Sequence, residues 1–422
     1  MVSSGIYRER KKLKRSTLLF CFILIVIIVS PLFLVIWNFG IDKQKSKPEF
    51  FVGVEYAIDN HSVEDCKALV DRVKNFTNLF VVDSFGITKD INNLNEVCDY
   101  VYDSGLYFFV FFIAIHYESE GDYILRYNYF PHIWILEAKE KYGDKFLGTY
   151  AMDEPGGSQL DQGNFKMIKT EDIENINETA KSYVELLNSH IDYYINYYTF
   201  FRIYDDYTVL TADYGLYWFD YKAGYHAILT EFGWNHSRPL HVALCRGAAN
   251  LQNRDWGVIE TWTYNNDPYL TSGDELYDDL ILAYHNGAKY AIIFDHPDTE
   301  YSEYGILTEE HFKALEDFWN YVDDNPSKHG TVDGEVAYVL PENFGFGFRS
   351  STDKIWGVEA DVFGEKLGQW SADELAEKVW SDVNQLIDEY GSRLDIVYSD
   401  PEFNDDLKRN YDKLFFWNET LN

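Results

Sequence analysis

The chain has 422 residues, 46% of them hydrophobic and 25% charged, which is enough to bury a large core and to fill two or three domains. Its formal net charge of -34 excludes nucleic acid and anionic surfaces as natural partners, because phosphate binding relies on clustered Lys and Arg. The aromatic share of 18% serves either dense packing or a site that stacks flat apolar faces, such as those of sugar rings.

The first element is an uncharged run, STLLFCFILIVIIVSPLFLVIW, preceded by Arg8, Arg10, Lys11, Lys12, Lys14 and Arg15. At roughly 20 residues it is long enough to span a bilayer as a helix, and it is apolar on every face, unlike a buried core helix. The sequence VIWNFGI offers no small-residue cleavage site, so a retained transmembrane anchor is expected instead of a cleaved signal peptide. The basic cluster then puts a tail, residues 1–15, in the cytoplasm, the anchor over 16–41 in the membrane, a linker over 42–49 and the main domain outside the cell. Sequons at Asn60, Asn75, Asn177, Asn235 and Asn418 are compatible with such a glycosylated external surface. Cys21 falls in the anchor. Cys66, Cys98 and Cys245 lack metal-type spacing and read as buried small side chains, a Cys66–Cys98 bridge between neighbouring helices being the one alternative.

After the linker, short β-rich runs alternate with helical patterns. The strands are FFVGVEYAI, NLFVVDS, LYFFVFFIA, FLGTYAM, YTVLTADY, YHAILTEF, WGVIETWTY and KYAIIFDH. Between and after them, stretches such as SVEDCKALVDRVKNF, DELYDDLILAYHNGA and TEEHFKALEDFWNYV repeat apolar residues at helical spacing behind Ser, Asp or Thr caps. Eight strand-helix units predict an α/β fold of the (β/α)8 TIM-like barrel type over 50–327. A doubly wound open sheet usually has fewer strands and a Gly-rich first turn, which is absent here. From 328 to 422 the pattern changes to GEVAYVLPENFGFGF, a capped helix SADELAEKVWSDVNQLIDEYG and a strand LDIVYSDP, which predicts a small C-terminal α/β domain supporting the barrel or an oligomer.

Barrel chemistry sits at the carboxyl ends of the strands, where the βα loops build the open face. Acids recur there: Asp83 after strand two, Asp153 and Glu154 in MDEPGG after strand four, Asp213, Glu231, and Asp295 with His296, while Glu260 lies within strand seven. For Asp153 and Glu154 alone, a helix cap is as good a reading as a catalyst. A ring of half-buried carboxylates on one face is costly unless the groups are paired or used, so the ring is a site candidate. Tyr56, Tyr150, Trp234, Trp262, Tyr264 and Tyr269 interleave with it. No HExxH, Cys-His cluster, Walker lysine or G-x-S-x-G elbow is present, so no cofactor or metal is expected.

On the MDEP segment and the rim acids, the chain resembles (β/α)8-barrel glycoside hydrolases, and is similar to uncharacterised archaeal membrane-anchored proteins assigned to that group. The resemblance covers roughly residues 50–326. It implies that Glu154 is the acid/base and that the second carboxylate is Glu260 on strand seven. No Asn precedes Glu154, and Glu260 lies deeper in its strand than the other rim acids, so Glu231 is an equal candidate for the partner. Asp83, Asp153 and Asp295, with Tyr56, Tyr150, Trp234, Trp262 and Tyr264, are then expected to hold a carbohydrate substrate. The rival reading is a barrel that binds glycan or builds a cell surface without cleaving anything.

Overall fold

The computed structural model describes residues 48–59, 62–112, 127–161, 166–173, 175–195, 207–264, 268–296, 304–359, 363, 366–401 and 403–421. The expected anchor at 16–41, Cys21 and Asn60 lie outside the described residues. Among the described residues no helix is long and apolar enough to cross a membrane. The chain divides into Met1–Pro48 and Glu49–Asn422, and nearly all described residues belong to the second unit.

Eight strands close a parallel barrel in sequential order: β1 (Phe51–Tyr56), β2 (Leu79–Val82), β3 (Tyr107–Phe112), β4 (Phe146–Ala151), β5 (Thr208–Asp213), β6 (Ala227–Phe232), β7 (Asp255–Glu260) and β8 (Tyr290–Asp295). The pairing of β1 with β8 completes the ring, so the open-sheet alternative is excluded. Around it lie α1 (Val63–Val73), α2 (Ile91–Asp103), α3 (Pro131–Tyr142), α4 (Ile176–Ile195), α5 (Tyr217–Ala223), α6 (Arg238–Leu251), α7 (Gly273–His285) and α8 (Glu309–Asp324). The caps do what the sequence implies. Ser62 and Ser272 each accept from the third helical N–H while Asp65 and Glu275 reach back, closing capping boxes on α1 and α7.

Strand side chains alternate between two cores. Phe51, Leu79, Phe109, Leu229, Ile259 and Tyr290 fill the barrel interior, whereas Val52, Val54, Tyr56, Phe232 and Ile293 belong to the larger core under the helices. Cys66, Cys98 and Cys245 are buried free thiols in that outer layer.

Past the barrel, β9 (Val336–Leu340) is the centre of a three-stranded sheet, paired in parallel with β10 (Leu394–Tyr398) and β11 (Lys413–Phe416). Helix α9 (Ala372–Tyr390) connects β9 to β10 and packs on both. The sheet packs on the barrel through α6 and β10. One charge pair marks the seam: Arg246 on α6 lies 2.8 Å from Asp395 on β10, their side chains 2% and 1% exposed. Arg246 also donates to Asn286 Oδ1 (2.7 Å) and to the carbonyls of Ser392 (2.6 Å) and Leu394 (3.2 Å), and Tyr411 donates to Asp395 (3.0 Å). Such a pair owes its standing to full satisfaction of its donors and acceptors, since an uncompensated buried charge is costly.

Arg246→Met strands Asp395 in that seam and should cost about 3–5 kcal/mol in urea unfolding, whereas a paired Arg246→Met, Asp395→Leu exchange should recover most of the loss. A cost below about 1 kcal/mol for the single change would show that the seam does not depend on the pair.

Candidate active site

Register decides which acids face the mouth. Glu55 is level with Val81 and Phe294, and Glu231 with Ile259, all residues that line the interior, so both carboxylates project inward. Glu260 is level with Phe232 and Ile293 of the outer core, one step out of phase. It projects under the helices, 4.0 Å from the Arg238 guanidinium at the start of α6. The same alternation turns Asp295 and Tyr56, which are paired in register, outward. The expectation that Glu260, Asp295 and Tyr56 face the mouth is therefore corrected: a strand residue one position off in phase lies on the other face of the sheet. Asp295 instead accepts from Ile306 N (3.0 Å).

Asp213 is a fastener. Its carboxylate accepts from the N–H groups of Gly156 (2.6 Å), Gly157 (2.9 Å), Tyr214 (2.7 Å) and Gly215 (3.1 Å). This ties the loop after β5 to the short helix Pro155–Leu160 that follows Glu154. The Pro-Gly-Gly sequence is explained by that contact. A Cβ on Gly156 would lie 2.4 Å from the Gly215 carbonyl oxygen, and one on Gly157 would lie 2.1 Å from the Tyr214 ring.

Between β4 and this helix the backbone is strained. Met152 (φ 58°) and Glu154 (φ 47°) both occupy the left-handed region, an uncommon and costly conformation outside glycine. Glu154 N–H donates to Ala212 O at 3.1 Å, which fixes the turn. The turn brings the Glu154 carboxyl beside that of Glu231, so that each acts on the other's proton affinity. Asp153 turns back to accept from the Tyr150 hydroxyl. Tyr150 stands in the barrel interior, edge-on to Phe111 with centroids 4.8 Å apart.

The C-terminal segment braces the same helix from behind. Arg349 pairs with Asp161 at the end of the helix and with Asp353, and Asp161 accepts from Tyr214 Oη at 2.8 Å. Gln159 donates to Trp356 O (3.1 Å), and Lys166 bridges the carbonyls of Gln159 and Gly357 at 2.9 Å each. The C-terminal segment thus holds the helix that follows Glu154.

Aromatic side chains form the rim. Trp262 packs on Tyr269 (4.7 Å) and His296 (5.2 Å), and His296 stacks on Phe294 (5.5 Å). Trp234 and Tyr264 are exposed, and Trp234 N–H donates to Trp262 O at 2.8 Å, joining the loops after β6 and β7.

A second carboxyl pair completes the mouth. Glu55, which the sequence reading passed over, lies beside Asp83 at the end of β2, and each carboxyl acts on the other. A Glu at an alternate position of the apolar strand FFVGVEYAI was the available signal, because a buried charge is costly unless paired. Burial, then the Asp153 charge, pushes Glu55 up to about 8, and burial, then the charge of Glu55, holds Asp83 well above the usual carboxylate range. Glu154 is pushed up to about 8 by burial and then by Asp153, against the lowering effect of Glu231 beside it. Glu231 is raised well above its ordinary value by burial and then by Glu154. At neutral pH the mouth therefore carries protons shared between carboxyl pairs.

Neither a family model nor a curated protein sequence matches the chain. Solved structures do match. The GH5_18 protein of Streptomyces cattleya, solved in complex with GlcNAc, superposes with a TM-score of 0.52 at 13% identity, over 88% of this chain and 99% of that one. Alpha-L-fucosidase isoenzyme 2 of Paenibacillus thiaminolyticus gives 0.49 at 11% identity, over 86% of this chain and 59% of that one. At 13% identity the first likeness establishes the fold alone.

The raised carboxyl of Glu154 gives a pH test with a definite sign. Folded Glu154 keeps its proton up to about 8, whereas an unfolded Glu releases it near 4.5. The stability that protonation contributes is complete below the unfolded value and is lost as pH rises through the folded one. Glu154→Gln, which cannot ionise, should therefore raise the urea midpoint relative to the parent at about pH 9 and much less at about pH 4. An equal shift at both pH values would rule out a proton-loaded site.

Proposed function

We propose that this protein is a membrane-anchored glycoside hydrolase working outside the cell, with Glu154 and Glu231 as its two carboxyl groups. The pairing of those two buried carboxyls inside an aromatic-rimmed barrel mouth, Glu231 facing inward by its register and Glu154 presented by the turn after β4, carries the reading. Glycoside cleavage needs a proton on the leaving oxygen and a second carboxylate at the anomeric carbon, and one carboxyl cannot serve both ends at once. Glu154, held protonated at neutral pH, is the proton donor. Glu231, deeper in the barrel, is the nucleophile once substrate separates the pair. The like-charge repulsion that keeps one proton on the pair is the condition that general acid catalysis at neutral pH requires.

The close approach favours retention. Inverting enzymes leave room for a water, with carboxyl groups about 6.5–9.5 Å apart, whereas retaining ones stand about 5–5.5 Å apart. Carboxyls close enough to act on each other's proton leave little room for that water and stand nearer the second geometry. Asp153, Asp83 and Tyr150 lie where sugar hydroxyls would be held, and Trp234, Trp262 and Tyr264 where a ring would stack. The similar fold solved with GlcNAc points to the same ligand class. The basic cluster and apolar run before residue 42 support the anchor, and the exposure of Asn75, Asn177, Asn235 and Asn418 suits an external, glycosylated face.

On a panel of aryl glycosides and oligosaccharides, Glu154→Gln and Glu231→Gln should each lower kcat by about 10²–10⁴-fold, while Glu260→Gln should change it little. The product should keep its anomeric configuration by NMR. Binding without turnover by the parent protein, unaffected by Glu154→Gln, would replace the enzyme with a glycan-binding barrel.

Protease added to intact cells should remove the domain after residue 49 while a cytoplasmic control survives. Protection of the domain would overturn the topology.

A further inference from the structure

At the same end of the barrel as the mouth, the loops after β6 and β7 and the first two turns of α7 enclose a cleft of about 280 Å³ that the bond-breaking pair does not use. Its walls are tied together. Arg238 Nε donates to Asp279 on α7 at 2.9 Å and Arg238 Nη1 to the His236 carbonyl at 3.2 Å, so that α6, α7 and the loop after β6 meet at one guanidinium. The His236 ring stacks on that of His241, centroids 4.8 Å apart and planes 14° from parallel, which holds it as part of the wall. Ligand pockets run from about 300 to 1,000 Å³, so a cleft of this size suits one ring-sized unit.

Two polar atoms of that wall are buried without a partner. Thr263, 6% exposed, leaves its Oγ1 unbonded, and His236 leaves its Nδ1 unbonded. Native interiors leave few such atoms. Burial, then the Arg238 charge, pushes His236 down to about 4, so its ring is uncharged at neutral pH. A hydroxyl donates to or accepts from a neutral imidazole and a threonine hydroxyl alike. Among the described lining residues, Glu275, Asp278 and Asp279 stand against one cation, Arg238, which is already engaged by Asp279 and, at 4.0 Å, by Glu260. An anion therefore meets net negative charge. A cation meets the guanidinium in the wall, and among the described residues no group of three His, Cys, Asp or Glu is arranged to hold a metal. A neutral polyhydroxylated ring supplies what is lacking: hydroxyls that donate to the exposed carboxylate of Asp278 and bond to Thr263 and His236, and an apolar face for Tyr264, which is 39% exposed at the edge of the cleft.

We propose that this cleft is a second sugar-binding site, taking one neutral sugar unit of the glycan whose bond is cut in the mouth. Resting on the glycosidase reading, the inference makes the substrate a chain held at two points and not a single sugar on a small leaving group. The two loops that wall the cleft also carry Trp234 and Trp262 of the rim, joined by the Trp234 N–H to Trp262 O at 2.8 Å, so mouth and cleft share one rigid edge.

The test is amide hydrogen exchange and steady-state kinetics on the full chain, with cellotetraose, maltotetraose, mannotetraose and the N-acetylglucosamine tetramer as neutral probes, tetragalacturonate as the anionic one and the glucosamine tetramer as the cationic one. At least one neutral tetramer at millimolar concentration should slow exchange over 233–237 and 271–279, in the parent protein and in Glu154→Gln alike. Thr263→Val and Asp278→Asn, neither of them part of the mouth, should remove that protection. On a longer chain of the protecting sugar they should raise KM at least about tenfold at unchanged kcat, while turnover of its aryl monoglycoside stays within about twofold of the parent. The comparison of probes on the parent protein needs no variant, so a variant that fails to fold leaves the test standing. If no neutral tetramer protects these segments, if a charged tetramer protects them as well as the neutral ones, or if both variants leave KM for the chain unchanged, this inference is overturned and the hydrolase reading stays in place. If the parent cleaves no glycoside, the hydrolase reading falls, and protection of these segments by a neutral tetramer alone still supports the cleft as a sugar site.

Discussion

Alternation of side chains in a closed parallel sheet is the constraint from which the site follows. In the ring of β1 to β8 each strand residue either fills the barrel or packs under the helices, with no intermediate position. Glu231 and Glu260 are adjacent to partners one residue apart in the β6–β7 ladder, and that single step sends them to opposite faces. One joins the mouth and the other lies beside Arg238. Asp213 and Asp295 occupy the last positions of β5 and β8 and accept from backbone N–H groups instead.

Five acids gathered in one mouth store repulsion, and the protein accommodates it in two ways. Protons are shared within Glu154–Glu231 and within Glu55–Asp83, which lowers the charge that has to be solvated. The backbone that presents Glu154 is held in its left-handed conformation by contacts made on the far side of the short helix, from Asp213 and from Arg349 through Asp161. Strain at a site persists only where the surroundings over-determine it. The C-terminal sheet, locked to α6 by Arg246 and Asp395, anchors the segment that supplies this support. A distant ion pair and the presentation of the acid are thereby parts of one rigid assembly.

The sequence by itself determined the strands, the helices with their caps, and the count of eight that closes a barrel, because each depends on local periodicity and on short-range hydrogen bonds. It also placed Glu154 at a turn, since Pro-Gly-Gly after an apolar run permits little else. What it could not decide was the phase of each strand relative to the mouth. FFVGVEYAI is apolar on both faces, as a strand buried on both sides must be, so alternation leaves no mark to say whether Glu55 or Tyr56 points inward. The same ambiguity hid the difference between Glu231 and Glu260. Only the closed sheet resolved it, because the register with neighbouring strands, joined by contacts between residues far apart in the chain, sets which face each carboxylate occupies.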